Sequence, residues 1–205
     1  MTIAIIGLGN MGKGLAGRLN GKAELVFGVK DPGASDLAHT YTAVVTTPEQ
    51  AAAQADIVIL ALPYDEALSF AASPAVKGKI VVDISNPVKP DYSGLKITGA
   101  TSAAEEIQKV AVNSKVVKAF NTIFAGLFAA SPASTVDIPV FLAGNDEFAV
   151  ARVAELVELA GFSVEKIGGL DGARLVEAVG MLNIRLGFGL GKGVNIAPAW
   201  LAIAA

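Results

Sequence analysis

One stretch, Gly7-Leu8-Gly9-Asn10-Met11-Gly12, limits what this chain can fold into more than any other. It follows directly on the apolar run Thr2–Ile6 and opens a stretch of helical character that continues to Leu19. A strand, a glycine turn and a helix start, in that order, form the entry to a βαβ unit. In such a unit Gly7 permits the tight turn, Gly9 lets backbone approach a bound anion, and Gly12 lets the helix pack on the strand. The free N–H groups of the helix start, aided by the helix dipole, then hold the anion. A bare glycine turn would show none of this context. The six residues Gly7, Leu8, Gly9, Asn10, Met11 and Gly12 therefore read as a pyrophosphate loop of a dinucleotide site.

The rest of the sequence repeats the same alternation. Strand candidates are Ile3–Ile6, Leu25–Val29, Ile57–Ala61, Ile80–Ile84, Val116–Ala119, Val140–Ala143 and Ser163–Ile167. Several are apolar on consecutive residues, as in Ile57-Val58-Ile59-Leu60, the pattern of parallel strands covered on both faces. Helix candidates lie between them, at roughly 11–19, 48–54, 65–72, 102–112 and 146–160. The expected fold is α/β, a Rossmann-type doubly wound and mostly parallel sheet. Residues 1–168 make up the dinucleotide-binding domain, and residues 169–205 a short C-terminal appendage. In that appendage a helix over Asp171–Arg185 carries Leu175, Val176, Val179 and Leu182 at helical spacing, suited to packing on the sheet or on a second subunit. Gly187, Gly189, Gly191 and Gly193 follow as a lid or a loop, then an apolar tail containing Trp200.

Composition removes whole classes of chemistry. Among 205 residues there is no cysteine and one histidine, His39. Disulfides, thiolate metal sites and cysteine nucleophiles are thus excluded, and a histidine-based triad or multi-histidine metal site has too few residues. His39 reads as a surface or helix-end residue. A net charge of −3 argues against a nucleic-acid binder, and no stretch is long and apolar enough for a membrane helix. The expectation is a cytoplasmic protein with no metal, no nucleic acid and no membrane among its partners.

The second strand decides which ribose is read. A carboxylate about 20 residues beyond the glycine motif bonds the 2′-hydroxyl of NAD, whereas a cation accepts the 2′-phosphate of NADP. The segment Gly28-Val29-Lys30-Asp31-Pro32 offers both. Asp31 stands close to the acidic position by counting, but Pro32 follows it and marks the start of a turn. That leaves Lys30 as the charged group nearest the strand end, and the reading favours NADP over a solvated Lys-Asp turn.

Five blocks together carry a family resemblance: Gly7–Gly12, Gly28-Val29-Lys30, Val82-Asp83-Ile84-Ser85-Asn86-Pro87, Val117-Lys118-Ala119-Phe120-Asn121-Thr122 and Val140–Asp146. From Ile3 to about Glu177 the chain resembles the NADPH-dependent coenzyme F420 reductases. It is similar also to the cytoplasmic reductase domain of the six-transmembrane metalloreductases. The resemblance implies that Leu8–Met11 wrap the pyrophosphate and that Val29 and Lys30 stand at the 2′-phosphate. The family carries Ser/Thr-Arg at those two positions; a lysine keeps the charge without the bidentate fork. Leu62 and Pro63 are placed over the adenosine side, and Ala119, Phe120 and Asn121 beside the nicotinamide. The C-terminal region is expected to help close the acceptor pocket and to form a homodimer interface.

Ligands of open α/β sheets bind outside the carboxyl ends of the strands. Four such ends are candidates: Leu62-Pro63-Tyr64, Ser85-Asn86-Pro87, Asn121-Thr122 and Gly144-Asn145-Asp146. Asn86 and Asn121 are candidates to orient a carboxamide or a second ring by hydrogen bonding, with turn formation as the competing role. No residue reads as a protein acid or base. Glu105-Glu106 read as helix-start residues, and Met11 and Met181 as packing residues. Hydride exchange between a nicotinamide and a flavin-like ring needs proximity and stacking, whereas reduction of a carbonyl calls for a proton donor. The expected function is an NADP(H)-dependent oxidoreductase acting on coenzyme F420 or a flavin, with no catalytic side chain assigned. A non-catalytic NADP(H)-binding sensor or docking module and a small ketone or imine reductase are the alternatives.

Overall fold

Aliphatic residues crowd the central strands so densely that those keep no solvent face. In the computed structural model, which describes residues 1–32 and 40–200, Ile3, Ile5, Ile57 and Ile59 are fully buried on one side of a sheet, and Ala4, Val58 and Leu60 on the other. The chain runs β1 (Thr2–Ile6), α1 (Asn10–Leu19), β2 (Glu24–Gly28), β3 (Ala43–Thr46), α2 (Pro48–Gln54), β4 (Ile57–Leu60) and α3 (Tyr64–Ala71). It continues with β5 (Ile80–Asp83), α4 (Ala103–Val110), β6 (Lys115–Lys118), α5 (Pro132–Thr135), β7 (Pro139–Gly144), α6 (Glu147–Leu159), β8 (Ser163–Lys166) and α7 (Ala173–Ile184). The strand order is β3-β2-β1-β4-β5-β6-β7-β8. α1 and α6 cover one face of this sheet; α2, α3, α4 and the start of α7 cover the other. This is the doubly wound α/β architecture the sequence implies. His39 lies outside the described residues.

The first six strands are parallel, and β7 breaks the rule by pairing antiparallel with β6. Val117 faces Gly144 and Lys118 faces Ala143, so the carboxyl end of β7 lies beside the amino end of β6. The ion pair of Lys115 Nζ with Asp146 Oδ2 at 2.9 Å fixes that edge. Gly144-Asn145-Asp146 consequently sits on the side of the sheet away from the ligand crevice, contrary to its expected place. Its residues do local work there: Asn145 Oδ1 accepts from the Leu170 N–H, and Asp146 caps α6 by accepting from the Ala149 N–H. The direction reverses because the link from β6 to β7 returns through 3-10 and α5 turns instead of a crossover helix.

Arg18 fastens α1 to that link. Its guanidinium is buried and donates from Nε to Phe128 O, from Nη2 to Leu127 O and Ala130 O, and from Nη1 to Thr135 Oγ1 and Ala160 O. It also lies over the Phe162 ring, 5.1 Å from the centroid. Burial lowers its pKa, and five filled donors offset the cost of taking the cation from water.

α7 divides the expected apolar positions between the sheet and the surface. Leu175 is 71% and Leu182 56% exposed, while Glu177, Gly180 and Asn183 are buried together with Ala173 and Val176. The helix turns a polar stripe inward because the sheet end beneath it is polar. Met181 and the π-turn at Arg185–Gly189 follow.

Candidate active site at the carboxyl ends of the strands

The glycine loop assigns each glycine a separate task. Gly7 has φ of +90°, and a Cβ there would lie 2.7 Å from Ala61 O. A Cβ on Gly12 would lie 2.1 Å from Gly7 O, so the helix seats directly on the loop. At Gly9, by contrast, an added Cβ would meet nothing within 4 Å. The missing side chain there leaves open space at the start of α1, where helix N–H groups point outward. That combination fits a pyrophosphate.

Beside the loop lies a cavity of about 1060 Å³ lined by Gly7 and Leu8, by Val29 and Lys30 at the end of β2, and by Leu62 and Pro63 after β4. Asp31 is not among its lining residues. Asn10 and Met11 do not line it either; Asn10 is exposed and Met11 packs against the core. Lys13, Thr47, Glu49, Glu66, Ser69 and Ser73 complete the polar part of the wall.

The ends of β5 and β6 form the other half of the crevice, and here side chains do the building. Asn86 Nδ2 donates to Asn121 O at 2.7 Å, and Asn121 Nδ2 donates to Asn86 Oδ1 at 2.9 Å and to Val176 O at 2.8 Å. Gly180 of α7 closes over the pair: a Cβ there would fall 2.6 Å from Asn86 Oδ1. Three buried oxygens at this end, Ser85 Oγ, Asn121 Oδ1 and Thr122 Oγ1, have no hydrogen-bond partner among the described residues. Buried acceptors without partners are costly, so this end is suited to a ligand that brings N–H or O–H groups.

Phe120 has φ of +56°, and its ring is fully buried against Phe128 and Phe162. The ring is therefore core, with no face left for stacking on a ligand. Ala119 is equally buried, and its N–H donates to Asp83 O. What this turn offers the crevice is Asn121.

Beneath it sits a cluster that sequence reasoning missed. Lys118 Nζ, fully buried, lies 2.8 Å from Asp83 Oδ2, 2.8 Å from Glu177 Oε1 and 2.6 Å from Ser85 O. Glu177 also accepts from the Ala103 and Ala104 N–H groups at the start of α4. Burial alone would lower the lysine pKa, but the two carboxylates outweigh it and hold the ammonium charged. Beside this cluster Tyr64 keeps its proton, its pKa raised by burial and by Glu106, Asp65, Asp83 and Glu177. Opposite charges directly after two apolar runs, Asp83 after Ile80-Val81-Val82 and Lys118 after Val116-Val117, were the signal available in the sequence.

A second cavity, about 630 Å³, lies along the end of α7, lined by Tyr92, Ser93, Met181, Ile184, Arg185, Phe188 and Leu190. Met181, expected to be a packing residue, is half-buried and lines this cavity.

Comparison with known proteins places these features. The family described as NADP oxidoreductase, coenzyme F420-dependent, matches residues 2–87. The F420-dependent NADP reductase of Methanocaldococcus jannaschii is 32% identical over 96% of this chain and 98% of its own length. This chain belongs to the F420-dependent NADP reductase family. A solved F420-dependent NADP reductase structure from an Arthrobacter species superposes with a TM-score of 0.80 at 30% identity, covering 94% of this chain and 96% of that one. The metalloreductase STEAP3 of Rattus norvegicus is 31% identical over 86% of this chain, but the match spans only 36% of that larger protein.

Proposed function

We propose that this protein exchanges hydride between NADP(H) and a deazaflavin of the coenzyme F420 type, with a flavin as the substitute acceptor. The observation that carries the reading is the two-part crevice. An open-mouthed glycine loop with a lysine-lined cavity takes the dinucleotide, and a polar end with unpartnered acceptors leads along α7 to a second, largely apolar cavity.

When bound, the nicotinamide and the acceptor ring supply the redox chemistry themselves. The chain's part is binding and orientation. Helix N–H groups at Asn10, Met11 and Gly12 hold the pyrophosphate, Gly7, Leu8 and Gly9 keep the loop clear of it, and Lys30 meets the 2′-phosphate. Val29, Leu62 and Pro63 flank the adenosine. Asn121 has both its N–H groups engaged by Asn86 and Val176, so its remaining Oδ1 accepts from the carboxamide of the nicotinamide. Asn86 and the Ala119-Phe120 backbone hold Asn121 in place. Met181, Ile184 and Phe188 offer an apolar wall to a flat acceptor.

On this reading the dinucleotide-binding domain, residues 1–168, carries the dinucleotide, and the described part of the appendage, residues 169–200, closes the acceptor side. The exposed side chains of Leu175, Leu182 and Trp200 suit a homodimer in which a second copy covers them. No helix among the described residues is long and apolar enough to cross a bilayer.

The test follows nicotinamide absorbance with NADPH or NADH, in turn with coenzyme F420, FMN, FAD and no acceptor. The expected result is F420-dependent consumption of NADPH, faster than of NADH. NADPH that binds but is never consumed would favour a sensing module, and turnover with imines or ketones alone would favour a small carbonyl-type reductase.

A further inference from the structure

The dinucleotide cavity contains a cation that the glycine motif does not account for. Lys13 lines it together with Lys30, and the other charged groups on its wall are Glu49 and Glu66. Lys13 closes the first turn of α1, its N–H donating to Gly9 O at 2.9 Å. A cation so near a helix N-terminus is opposed by the helix dipole, so it is unfavourable there unless an anion comes to meet it. Helical side chains lean toward the N-terminus, which carries the Lys13 ammonium back to the mouth of the loop. Asn10 and Met11, in the same turn, do not line the cavity; Lys13 does. The same cavity is also lined by Gly28-Val29-Lys30 at the end of β2 and by Thr47-Pro48-Glu49 at the start of α2. Lys13 and Lys30 are both exposed, and among the described residues no salt bridge engages either.

We propose that Lys13 is a specificity-determining residue, forming with Lys30 a split site for the 2′-phosphate. A lysine is a point charge without the planar fork by which one arginine grips a phosphate from a single side. Two lysines, one from α1 and one from the end of β2, take the same dianion from two sides. With NAD(H) the two ammonium groups meet only a hydroxyl and gain nothing from each other's presence, so the pair discriminates by charge. This inference rests on the reading of the cavity as an NADP site.

The experiment measures dissociation constants of NADPH and NADH by fluorescence titration for the wild type, Lys13→Gln, Lys13→Arg and the double variant Lys13→Gln/Lys30→Gln. Adenosine 2′,5′-bisphosphate and AMP serve as competitors, so the result needs no turnover. Lys13→Gln is expected to weaken NADPH about tenfold and to leave NADH within about twofold. Lys13→Arg retains NADPH binding, and the double variant binds the two dinucleotides about equally. Because Lys13 is exposed, its variants should melt with the wild type. Equal weakening of NADPH and NADH in Lys13→Gln would overturn the proposal and assign Lys13 to the pyrophosphate; no change in either would overturn it outright. A wild type that binds NADH as tightly as NADPH would instead remove the NADP reading on which the proposal stands.

Discussion

The two ends of the crevice are built by opposite means. At the glycine loop almost everything is backbone: a turn at Gly7, a contact at Gly12 too close for a methyl group, and empty space at Gly9. At the ends of β5 and β6 almost everything is side chain: three buried charges, two interlocked amides and a helix that turns its polar stripe inward. The first end fails when an atom is added. The second fails when a partner is taken away, because each buried polar group there depends on another that comes from a distant part of the chain.

The largest effect expected from this contrast is at Lys118. Lys118→Met leaves Asp83 and Glu177 buried without their shared cation, a change that typically costs about 3–5 kcal/mol. Denaturant unfolding should show that loss, and the part of the protein still folded should bind NADPH through its intact loop. A loss below about 1 kcal/mol would mean that the two carboxylates find other partners, and the contrast between the two ends would fall. The sign with pH follows from the raised lysine pKa. The stabilisation is complete below the lysine value of the unfolded chain and disappears only as pH rises through the higher folded value. Between pH 6 and 9 this fastening should therefore be insensitive to pH.

The same contrast explains how far the sequence could be read. The loop was legible because its six residues are contiguous and their geometry follows from the absence of Cβ atoms; Gly7 and Gly12 take the turn and packing positions their spacing implies, and Gly9 faces open space. The sheet was legible because buried parallel strands are apolar on consecutive residues. β3 was missed, being a four-residue edge strand with no fully buried position. The reversal at β7 was missed because Val140–Ala143 is as apolar as a parallel strand, and nothing within it encodes direction. α7 was legible only in part: packing on the sheet or on a second subunit was expected of Leu175, Val176, Val179 and Leu182, and Val176 goes in beside Glu177, Gly180 and Asn183 while Leu175 and Leu182 face outward. Glu177 makes sense only beside Lys118, and Gly180 only beside Asn86 and Asn121. Those neighbours are fixed by the sheet, not by spacing along the chain.

A smaller effect separates two glycines within the loop itself. Gly12→Ala forces a methyl group against Gly7 O and should cost about 1–3 kcal/mol of stability together with NADPH binding. Gly9→Ala meets no protein atom within 4 Å. Gly9 also has the extended backbone of a helix cap, with φ of −68°, so its stability should stay within about 1 kcal/mol of the wild type. Its methyl group instead occupies the space assigned to the pyrophosphate, and NADPH affinity should fall about tenfold or more. Thermal melting and fluorescence titration on the two variants decide the matter. If both lose stability and affinity alike, Gly9 is a folding residue and the open mouth of the loop has no ligand to explain it.

The smallest effect belongs to the surface clamp between α4 and α7. Arg174 donates from Nε to Glu105 Oε2 at 2.8 Å, and this hydrogen bond is the main cause that lowers the Glu105 pKa from its ordinary 4.5. A carboxylate whose pKa is depressed in the fold adds stability above its unfolded value and loses it as pH falls through the folded one. Arg174→Gln should therefore lower Tm slightly at pH 7, less in high salt, and not at all once the pH is low enough to protonate Glu105 in the native state. Melting curves from pH 7 down to pH 3 at two ionic strengths measure this directly. A gap between wild type and variant that stays constant across that range would assign Arg174 to packing. A gap that closes with acid identifies the exposed, solvent-screened counterpart of the buried Lys118–Glu177 contact. α7 would then be held by one fastening, to α4, that yields to acid and salt, and by another, to the sheet, that burial shields from salt.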